Sequence, residues 1–364
     1  VPPGPSWGRF RTRSIFPGGR PAGHPAGSPG LAGSSLEVRA EHFATRSRIP
    51  IVGIMPARVI PAVALLIVLM VSGCGTLRPG SPSSGTPTSG PSSLAVGTTH
   101  EQLESGGRQR TFALHRPAVV APASGYPLVV MLHGGFGSGA QAEAAYGWDA
   151  QADSAGFLVA YPDGLNRAWN GGGGCCGQPG RQGIDDVAFI EAVVARIEAE
   201  APVDPARIYA TGMSNGAIMT YRLACESDLF AAVAPVAGNQ LVGCAGAKPV
   251  SLLHIHGAAD THVRLDGTPG VGVARISGPP VADVVDAWRL RDSCGAFRSS
   301  AGGEVSTSVA TCPHGRVVEL VVIAGAGHQW PGSSSKGYPG ADPPSRALSA
   351  TATIWAFFAD HPKV

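Results

Sequence analysis

The sequence has few charged side chains and few aromatic ones. Charged residues make up 14% and aromatic residues 6% of its 364 residues. An apolar run at Val59–Val71 is too short for a comfortable membrane span. From Cys74 to the end the chain carries 19 basic and 23 acidic side chains, a net charge near −4. The chain therefore lacks the basic excess that is typical of nucleic-acid-binding domains, and we expect no nucleic-acid partner.

The N-terminal part reads as a targeting region rather than as folded protein. Residues 1–54 hold seven arginines against two glutamates and have no periodic apolar face, which predicts a disordered or wrongly annotated extension. Residues 55–73 combine the basic Arg58, an apolar run and small residues, as secretory signals do. Their end, "VSGC", resembles the lipobox of bacterial lipoproteins, so we expect Cys74 to be lipidated. A plain cleaved signal peptide, with Cys74 incidental, is the alternative.

Two further regions follow Cys74. Residues 74–98 are rich in Ser, Pro, Gly and Thr and predict a flexible tether, long enough to hold a domain roughly 25 to 30 Å from a lipid surface. Residues 99–364 are long enough for one domain with a sizeable core. This organisation predicts an exported protein, attached to a membrane through an N-terminal lipid or secreted. Oligomeric state is left open.

Apolar runs alternate with helical patterns in this domain, which favours an α/β fold with a mostly parallel central sheet and helices on both faces. The predicted strands cover residues 127–133, 157–162, 207–212, 231–238, 250–257 and 317–325. The predicted helices cover residues 185–200, 215–226 and 347–361. No internal repeat, second domain or lid insertion is visible in the pattern.

The motif G-x-S-x-G occurs twice, at Gly4–Gly8 and Gly212–Gly216. In α/β-hydrolases this motif marks a sharp turn between a buried strand and a helix, with the serine exposed on it. The first copy lies in proline-rich sequence without apolar flanks. The second follows a β-rich run and precedes a helical pattern, which makes Ser214 the candidate nucleophile.

Candidate partners for Ser214 follow later strands. Functional sites of open α/β sheets lie at the carboxyl ends of the strands, and Asp260 and His328 are expected there. The chain order Ser, Asp, His is that of an α/β-hydrolase triad. Asp266 and Asp163 are rival acids, but Asp266 opens a turn and Asp260 lies directly after a strand.

Each residue type fits a chemical need of ester hydrolysis. A serine hydroxyl is a weak nucleophile at neutral pH, so it requires a base such as His328. Asp260 would hold that histidine in one tautomer and stabilise its cation. Backbone N–H groups must stabilise the oxyanion, and we expect them from Asn215 and from Gly135 or Phe136.

Several spaced motifs together resemble a known group of enzymes. They read "LHGGFG", "WNGGGGCCGQP", "DDVAFI", "GMSNGA", "HGAADTHV" and "GHQWPG". In this order they look like the extracellular esterases grouped as polyhydroxybutyrate depolymerase-like and feruloyl-esterase-like, including actinobacterial lipoprotein esterases. The resemblance spans roughly residues 100–362. It implies an α/β-hydrolase fold, ester hydrolysis without a cofactor, and Ser214, Asp260 and His328 as the triad. No polymer-binding module follows, which weakens the case for a crystalline polyester substrate.

Residues near these motifs are candidates for substrate contact. Trp330 lies two residues after His328, Trp169 precedes a glycine run, and either side chain could stack in a pocket or belong to the core. His133 is a third candidate, although His133 and His256 stand beside glycines at strand ends and are expected to orient loops. The natural ester stays open among feruloyl, acetyl, hydroxybutyrate and small aliphatic esters.

Two other functions are compatible with parts of the sequence. His254, His256, Asp260 and His262 suggest a zinc hydrolase, but no second ligand cluster accompanies them and the serine turn would be unexplained. We therefore expect no metal. A lipid-anchored binding protein that keeps the hydrolase fold without activity is the second alternative.

Six cysteines remain once Cys74 is set aside, an even number that predicts disulfides in an exported domain. The suggested pairs are Cys225 with Cys244, Cys294 with Cys312, and Cys175 with Cys176. Adjacent Cα atoms lie about 3.8 Å apart across a trans peptide, closer than disulfides usually require. Pairing of the two adjacent cysteines elsewhere, or not at all, stays open.

Overall fold

A computed structural model describes residues 94–335 and 341–364. The predicted extension, signal peptide, lipidated Cys74 and most of the tether lie outside the described residues, as does the first G-x-S-x-G copy. The first strand begins at Gly97, slightly before the predicted domain boundary at residue 99. Within the described part, no helix is both long and apolar enough to cross a membrane.

The described residues form one ten-stranded sheet. Its strands are β1 Gly97–Ser105, β2 Arg108–Arg116, β3 Tyr126–Leu132, β4 Leu158–Pro162, β5 Val203–Met213, β6 Ala232–Val236, β7 Ser251–Gly257, β8 Arg298–Gly302, β9 Val305–Thr311 and β10 Val317–Ile323. They lie in the order β1-β2-β4-β3-β5-β6-β7-β10-β9-β8. The six strands from β4 to β10 in this order pair in parallel, and antiparallel hairpins extend both edges. The predicted, mostly parallel α/β sheet is thus present.

The described part of the chain contains seven α-helices, of which all but α3 cover the sheet. They are α1 Gly139–Tyr146, α2 Trp148–Ala155, α3 Gly177–Gln182, α4 Asp186–Glu200, α5 Asn215–Glu226, α6 Val281–Arg291 and α7 Ala350–Asp360. Polar side chains cap the N-termini of three of them. N–H groups in the first turns of α1, α4 and α7 donate to the side chains of Ser138, Asp185 and Ser349, respectively. Gly147, with φ 76°, ends α1 in the left-handed region.

Two apolar cores lie on opposite faces of the sheet. Along β3, Leu128, Val130 and Leu132 enter one core and Val129 and Met131 enter the other, because successive side chains of a strand point to opposite faces. Helices α4, α5 and α6 pack on the first face, and α1, α2 and α7 pack on the second. Burial on both faces explains why the central strands read as continuous apolar runs.

The edge hairpins were absent from the predicted strands. Strand β1 alternates between half-buried and exposed residues, and β8 is exposed along its whole length. Strands β1 and β8 therefore carry a weak apolar pattern, so only pairing with a neighbour reveals them. Low burial does not explain the omission of β2, which is buried from Phe112 to His115.

Candidate active site

Ser214 stands on a strained turn between β5 and α5. Its backbone has φ 56° and ψ −116°, a region that side chains other than glycine rarely occupy. Such strain persists only where the surrounding structure enforces it and is common at functional sites. Ser214 holds the N-cap position of α5, yet its hydroxyl does not cap the helix. The hydroxyl is therefore available for another partner.

Close packing makes the two flanking glycines necessary. A Cβ atom on Gly212 would come within 2.6 Å of the backbone of Gly216 and 2.9 Å of Leu132. A Cβ atom on Gly216 would overlap the carbonyl oxygen of Leu132 and lie 2.6 Å from that of His133. The turn is thus pressed against the end of β3, and any side chain at either position would displace it.

The structure joins Ser214, His328 and Asp260 by hydrogen bonds. Nε2 of His328 lies 2.8 Å from the Ser214 hydroxyl, and Nδ1 lies 2.7 Å from Oδ2 of Asp260. Both distances are those of hydrogen bonds, and the one to the Asp260 carboxylate is charge-assisted. Asp260 and His328 are buried, whereas the serine is half-buried and reachable from solvent. The three predicted triad residues therefore meet at the carboxyl edge of the sheet, after β5, β7 and β10.

A tight turn after β7 holds the carboxylate of Asp260. Its Oδ1 accepts the backbone N–H groups of His262 at 2.8 Å and Val263 at 2.9 Å, which leaves Oδ2 for His328. Burial alone would raise the pKa of Asp260, but the hydrogen bond and charge of His328, together with His256 and the Val263 amide, lower it below its usual 3.8. Asp260 is therefore a carboxylate at neutral pH.

The loop after β3 passes beside Ser214. A Cβ atom on Gly134 would lie 3.6 Å from Cβ of Ser214, and one on Gly135 would lie 3.8 Å from Cβ of Asn215. In the described part of the chain, neither the Gly135 nor the Asn215 backbone amide has a hydrogen-bond partner. Both amides therefore remain candidates for the oxyanion.

Phe136 does not fit the predicted role of oxyanion donor. Its backbone N–H donates to the carbonyl oxygen of Arg167 at 2.8 Å, so it is already engaged. The residue adopts φ 63° and its side chain is 69% exposed. The Phe136 N–H is therefore not free to face a developing charge in this structure, whereas the Gly135 N–H is.

Comparison with known proteins agrees with this geometry. Residues 110–266 match the family described as Esterase PHB depolymerase. NocK of Nocardia uniformis subsp. tsuyamanensis, named as an esterase, is 32% identical over 316 residues, which cover 74% of this chain and 89% of that protein. This chain belongs to the PHB depolymerase family of esterases. It is accordingly a carboxylic ester hydrolase.

One further relative and one solved structure are also similar to this esterase. Feruloyl esterase C of Emericella nidulans is 32% identical over 217 residues, covering 56% of this chain and 72% of that protein. The solved acetyl xylan esterase from Aspergillus awamori superposes with a TM-score of 0.52 at 14% identity, over 72% of this chain and 99% of that one. At that identity the superposition shows the α/β-hydrolase fold alone.

The three predicted substrate contacts are buried in this esterase. Trp330 stacks on Tyr146 with ring centroids 4.7 Å apart and belongs to the core of the α1, α2 and α7 face. Trp169 packs in the opposite core, and its indole N–H donates to the carbonyl oxygen of His133 at 2.9 Å. None of the three side chains is exposed, so direct substrate contact by Trp330, Trp169 or His133 is wrong. A cavity of about 520 Å³ lies between helix α6 and the loops after β4, β6 and β7, and none of these three side chains lines it.

His133 instead connects two loops. Its Nε2 accepts the N–H of Gly164 at 2.9 Å, and its Nδ1 donates to the carbonyl oxygen of Gly134 at 2.8 Å. Burial lowers the pKa of His133, which agrees with a neutral ring that accepts at one nitrogen and donates at the other. The expectation that it orients loops fits this arrangement.

The rival acids have other partners. Asp163 accepts the N–H of Gly139 at 2.8 Å and the hydroxyl of Thr111 at 2.9 Å, so it stabilises the start of α1. Asp266 is exposed and bonds within its own turn, to Arg264 and Thr268. Neither residue contacts His328 in the described structure.

Contacts within the protein occupy the proposed zinc ligands. His254 bonds Tyr221 and His256, and Nε2 of His256 lies 2.7 Å from the carbonyl oxygen of Val263. Asp260 is engaged by His328. Within the described residues no three His, Cys, Asp or Glu side chains are grouped so that they could hold a metal ion. The donor geometry therefore does not fit the zinc alternative.

Side chains that sequence reasoning missed also shape the site. The Asn215 side chain holds the backbone of Trp169 at both ends, accepting its N–H at 2.7 Å and donating to its carbonyl oxygen at 3.1 Å. Asp342 accepts the backbone N–H of His328 at 2.7 Å. Asn215 stands inside the recognised motif, whereas Asp342 lies in a loop without any sequence signal.

Three disulfides occur in the described residues, with the suggested pairing: Cys175–Cys176, Cys225–Cys244 and Cys294–Cys312. The second joins the C-terminal part of α5 to the loop after β6. It therefore braces the helix that begins directly after Ser214.

Proposed function

We propose that this esterase is a serine hydrolase in which Ser214 is the nucleophile, His328 the general base and acid, and Asp260 the residue that orients His328. Support comes from the hydrogen-bonded chain of these three side chains and from the strained backbone of Ser214. A hydroxyl, an imidazole and a buried carboxylate in this order are the groups that nucleophilic ester cleavage needs.

The reaction runs in two halves. Nε2 of His328 takes the hydroxyl proton as Oγ of Ser214 attacks the ester carbonyl carbon, and the oxyanion is bound by the amides of Gly135 and Asn215. The tetrahedral intermediate collapses when the C–O bond to the alcohol breaks and His328 protonates that alcohol. Water then attacks the acyl-enzyme while His328 takes its proton. Release of the acid returns the proton to Ser214.

Asp260 acts on His328 alone. Its Oδ2 accepts the Nδ1 proton, so Nε2 faces the serine as an acceptor, and its negative charge stabilises the imidazolium that forms during attack. The lowered pKa of Asp260 keeps this charge present at neutral pH.

The observation that carries the proposal is the 2.8 Å contact between His328 and the hydroxyl of Ser214. Its test is Ser214→Ala, with hydrolysis of a short p-nitrophenyl ester as the readout. We expect the fold to survive and activity to fall by several orders of magnitude, with some catalysis above water left by the oxyanion donors. Ser227→Ala, just after the other end of α5, is the matched control and should keep its activity. More than a tenth of the activity in Ser214→Ala would overturn the assignment.

A panel of ester substrates can narrow the class of ester that the enzyme prefers. The name of the Emericella nidulans relative suggests feruloyl esters as the first substrates to test, and acetylated xylan and hydroxybutyrate oligomers are the comparison substrates. The readout is kcat/KM for each ester, with Ser214→Ala as the blank. A preference for methyl ferulate of at least about tenfold, a difference of about 1.4 kcal/mol, would assign the feruloyl class.

We also propose that the protein is exported and attached to a membrane through lipid on Cys74. Support comes from the signal-like residues 55–73 and from the three disulfides, which form in oxidising compartments. The wild-type protein should fractionate with membranes, and Cys74→Ser should release it. A single acyl chain binds membranes only marginally, so firm attachment implies more than one chain. An unmodified soluble product with an N-terminus other than residue 74 would contradict the lipid anchor.

A further inference from the structure

A chain of buried polar side chains runs behind the proposed triad without taking part in it. The hydroxyl of Tyr221 lies 2.7 Å from Nδ1 of His254, and Nε2 of His254 lies 2.9 Å from Nδ1 of His256. Nε2 of His256 lies 2.7 Å from the carbonyl oxygen of Val263. All four residues are at most 2% exposed. Burying three polar side chains in a row is costly unless each is paired, and here each is.

The last contact fixes the direction of every hydrogen bond in the chain. The carbonyl oxygen of Val263 can only accept, so the proton of neutral His256 is on Nε2 and its Nδ1 is an acceptor. His254 must then donate from Nε2, which leaves its Nδ1 to accept from the Tyr221 hydroxyl. The chain therefore points one way, from Tyr221 to Val263.

Burial keeps both histidines neutral, as this direction requires. It lowers the pKa of His254 well below the usual 6.5, helped by the nearby His256, and it lowers the pKa of His256 despite the opposing effect of Asp260. The two rings stack with centroids 5.1 Å apart and an angle of 11° between planes. Protonation of His254 would turn its Nδ1 into a donor and reverse the contact with the Tyr221 hydroxyl, so the one-way chain requires a neutral ring.

The chain connects the two halves of the active site. Tyr221 is on α5, the helix that begins after Ser214, while His254 and His256 are on β7. Val263 belongs to the turn whose N–H groups hold the carboxylate of Asp260. Nε2 of His256 also lies 3.6 Å from Oδ2 of Asp260, the oxygen that faces His328. Val263 thus contacts His256 through its carbonyl oxygen and Asp260 through its N–H, so a shift of the Val263 backbone would move the carboxylate.

We propose that His256 is a positioning residue, and that the chain Tyr221–His254–His256 fixes the 260–263 turn so that Asp260 meets His328. This inference rests on the proposed triad. His256 touches neither the serine nor the base; it acts through Val263 and Asp260. Its loss should lower kcat and leave KM nearly unchanged, because substrate binding does not depend on the orientation of the base.

The test compares His256→Gln with His256→Asn. A glutamine carries its amide nitrogen about as far from the backbone as Nε2 of histidine, so it can still donate to Val263. An asparagine reaches only the place of Nδ1, so it keeps the contact with His254 and loses that with Val263. Both variants put an amide in the same buried place, which makes them matched controls for stability.

We expect His256→Gln to keep kcat within about threefold and His256→Asn to lose about 10- to 100-fold, the range that small misplacements of catalytic groups produce. KM should stay within about twofold in both, and their melting temperatures should be similar. Equal kcat in the two variants, or a loss that follows melting temperature alone, would overturn the positioning role.

A second variant covers the case in which His256→Asn does not fold. Tyr221→Phe keeps the ring packing against His254 and Trp288 and removes only the first donor of the chain. We expect kcat to fall about threefold at unchanged KM; an unchanged kcat would contradict the proposal. Ser214→Ala distinguishes a failure of the positioning role from a failure of the proposed triad. If Ser214→Ala is inactive while the His256 variants behave alike, the triad stands and only the positioning role fails. If it stays active, the triad itself is wrong.

Discussion

The two turns that carry Ser214 and Asp260 are held in place by different forces. The nucleophile turn, Gly212–Gly216, is pressed against the backbone of Leu132 and His133, with no room for a Cβ atom at either glycine. The acid turn, Asp260–Val263, is held by hydrogen bonds from its own amides and by the buried histidine chain. Steric exclusion at the two glycines dominates in the first turn, to which Asn215 adds hydrogen bonds with the Trp169 backbone, whereas paired polar groups position the second.

This difference predicts different kinds of sensitivity. Steric positioning fails when volume is added and responds little to pH, because no titrating group takes part. Hydrogen-bonded positioning fails when a donor or acceptor is removed and responds to protonation. Substitutions matched to each turn can separate the two.

The largest effect is expected from Asp260→Asn in the acid turn. The amide keeps an oxygen for the N–H groups of His262 and Val263, but its NH₂ group faces Nδ1 of His328 and favours the wrong tautomer. We expect kcat to fall about 10³- to 10⁴-fold with the fold intact. Asp266→Asn, the exposed rival acid, is the control and should retain nearly full activity. Comparable losses in the two variants would show that the acid has been misassigned.

Adding volume to the nucleophile turn should come next in size. Gly216→Ala places a Cβ atom against the carbonyl oxygens of Leu132 and His133, which are backbone and cannot rotate away. We expect a loss of about 2 to 3 kcal/mol in the free energy of unfolding, measured by urea denaturation, together with lowered kcat.

Gly243→Ala is the matched control for that substitution, since a Cβ atom there meets nothing within 4 Å. It should be neutral within about 0.5 kcal/mol. A stable and active Gly216→Ala protein would show that the turn has room to relax, and steric exclusion would no longer explain its shape.

Sequence reasoning located the central sheet and the three residues of the proposed triad for a physical reason. Buried parallel strands read as apolar runs, and Ser214, Asp260 and His328 each directly follow such a run. The predicted helix at residues 215–226 coincides with α5. Edge strands β1 and β8 have little buried surface and therefore gave no such pattern.

The wrong expectations concern side-chain environment rather than position along the chain. Trp330 and Trp169 lie beside the motifs in sequence, but their rings turn into the two cores. Phe136 lies in the predicted loop, but its N–H is taken by Arg167, a contact that only the folded chain creates. Asp342 reaches the His328 backbone from 14 residues away in a loop without periodicity. Such contacts depend on tertiary packing, which local patterns do not encode.

A smaller effect is expected where the nucleophile turn uses hydrogen bonds. Asn215→Ala removes both contacts with the Trp169 backbone and keeps the backbone N–H that we assign to the oxyanion. We expect kcat/KM to fall about tenfold, far less than in Ser214→Ala, because no reacting group is lost. Asn239→Ala, a buried asparagine that bonds Pro279 instead, is the control and should affect stability more than kcat. A loss as large as that of Ser214→Ala would mean that the Asn215 side chain contacts the reacting ester.

The smallest effect is a change in how the free energy of unfolding depends on pH. It should come from the buried histidine chain that holds the acid turn, and not from the nucleophile turn. The folded protein holds His254 neutral with its pKa well below 6.5, because the ring is fully buried and faces His256. The unfolded chain takes up that proton near pH 6.5, so below this pH the unfolded state binds more protons and stability falls as pH falls. One such group contributes a slope of up to about 1.4 kcal/mol per pH unit. His254→Gln cannot titrate, so its free energy of unfolding should change less between pH 7 and pH 5 than that of the wild type. Equal slopes in His254→Gln and the wild type would mean that the buried chain is protonated in the fold, and the one-way hydrogen-bond direction would be wrong.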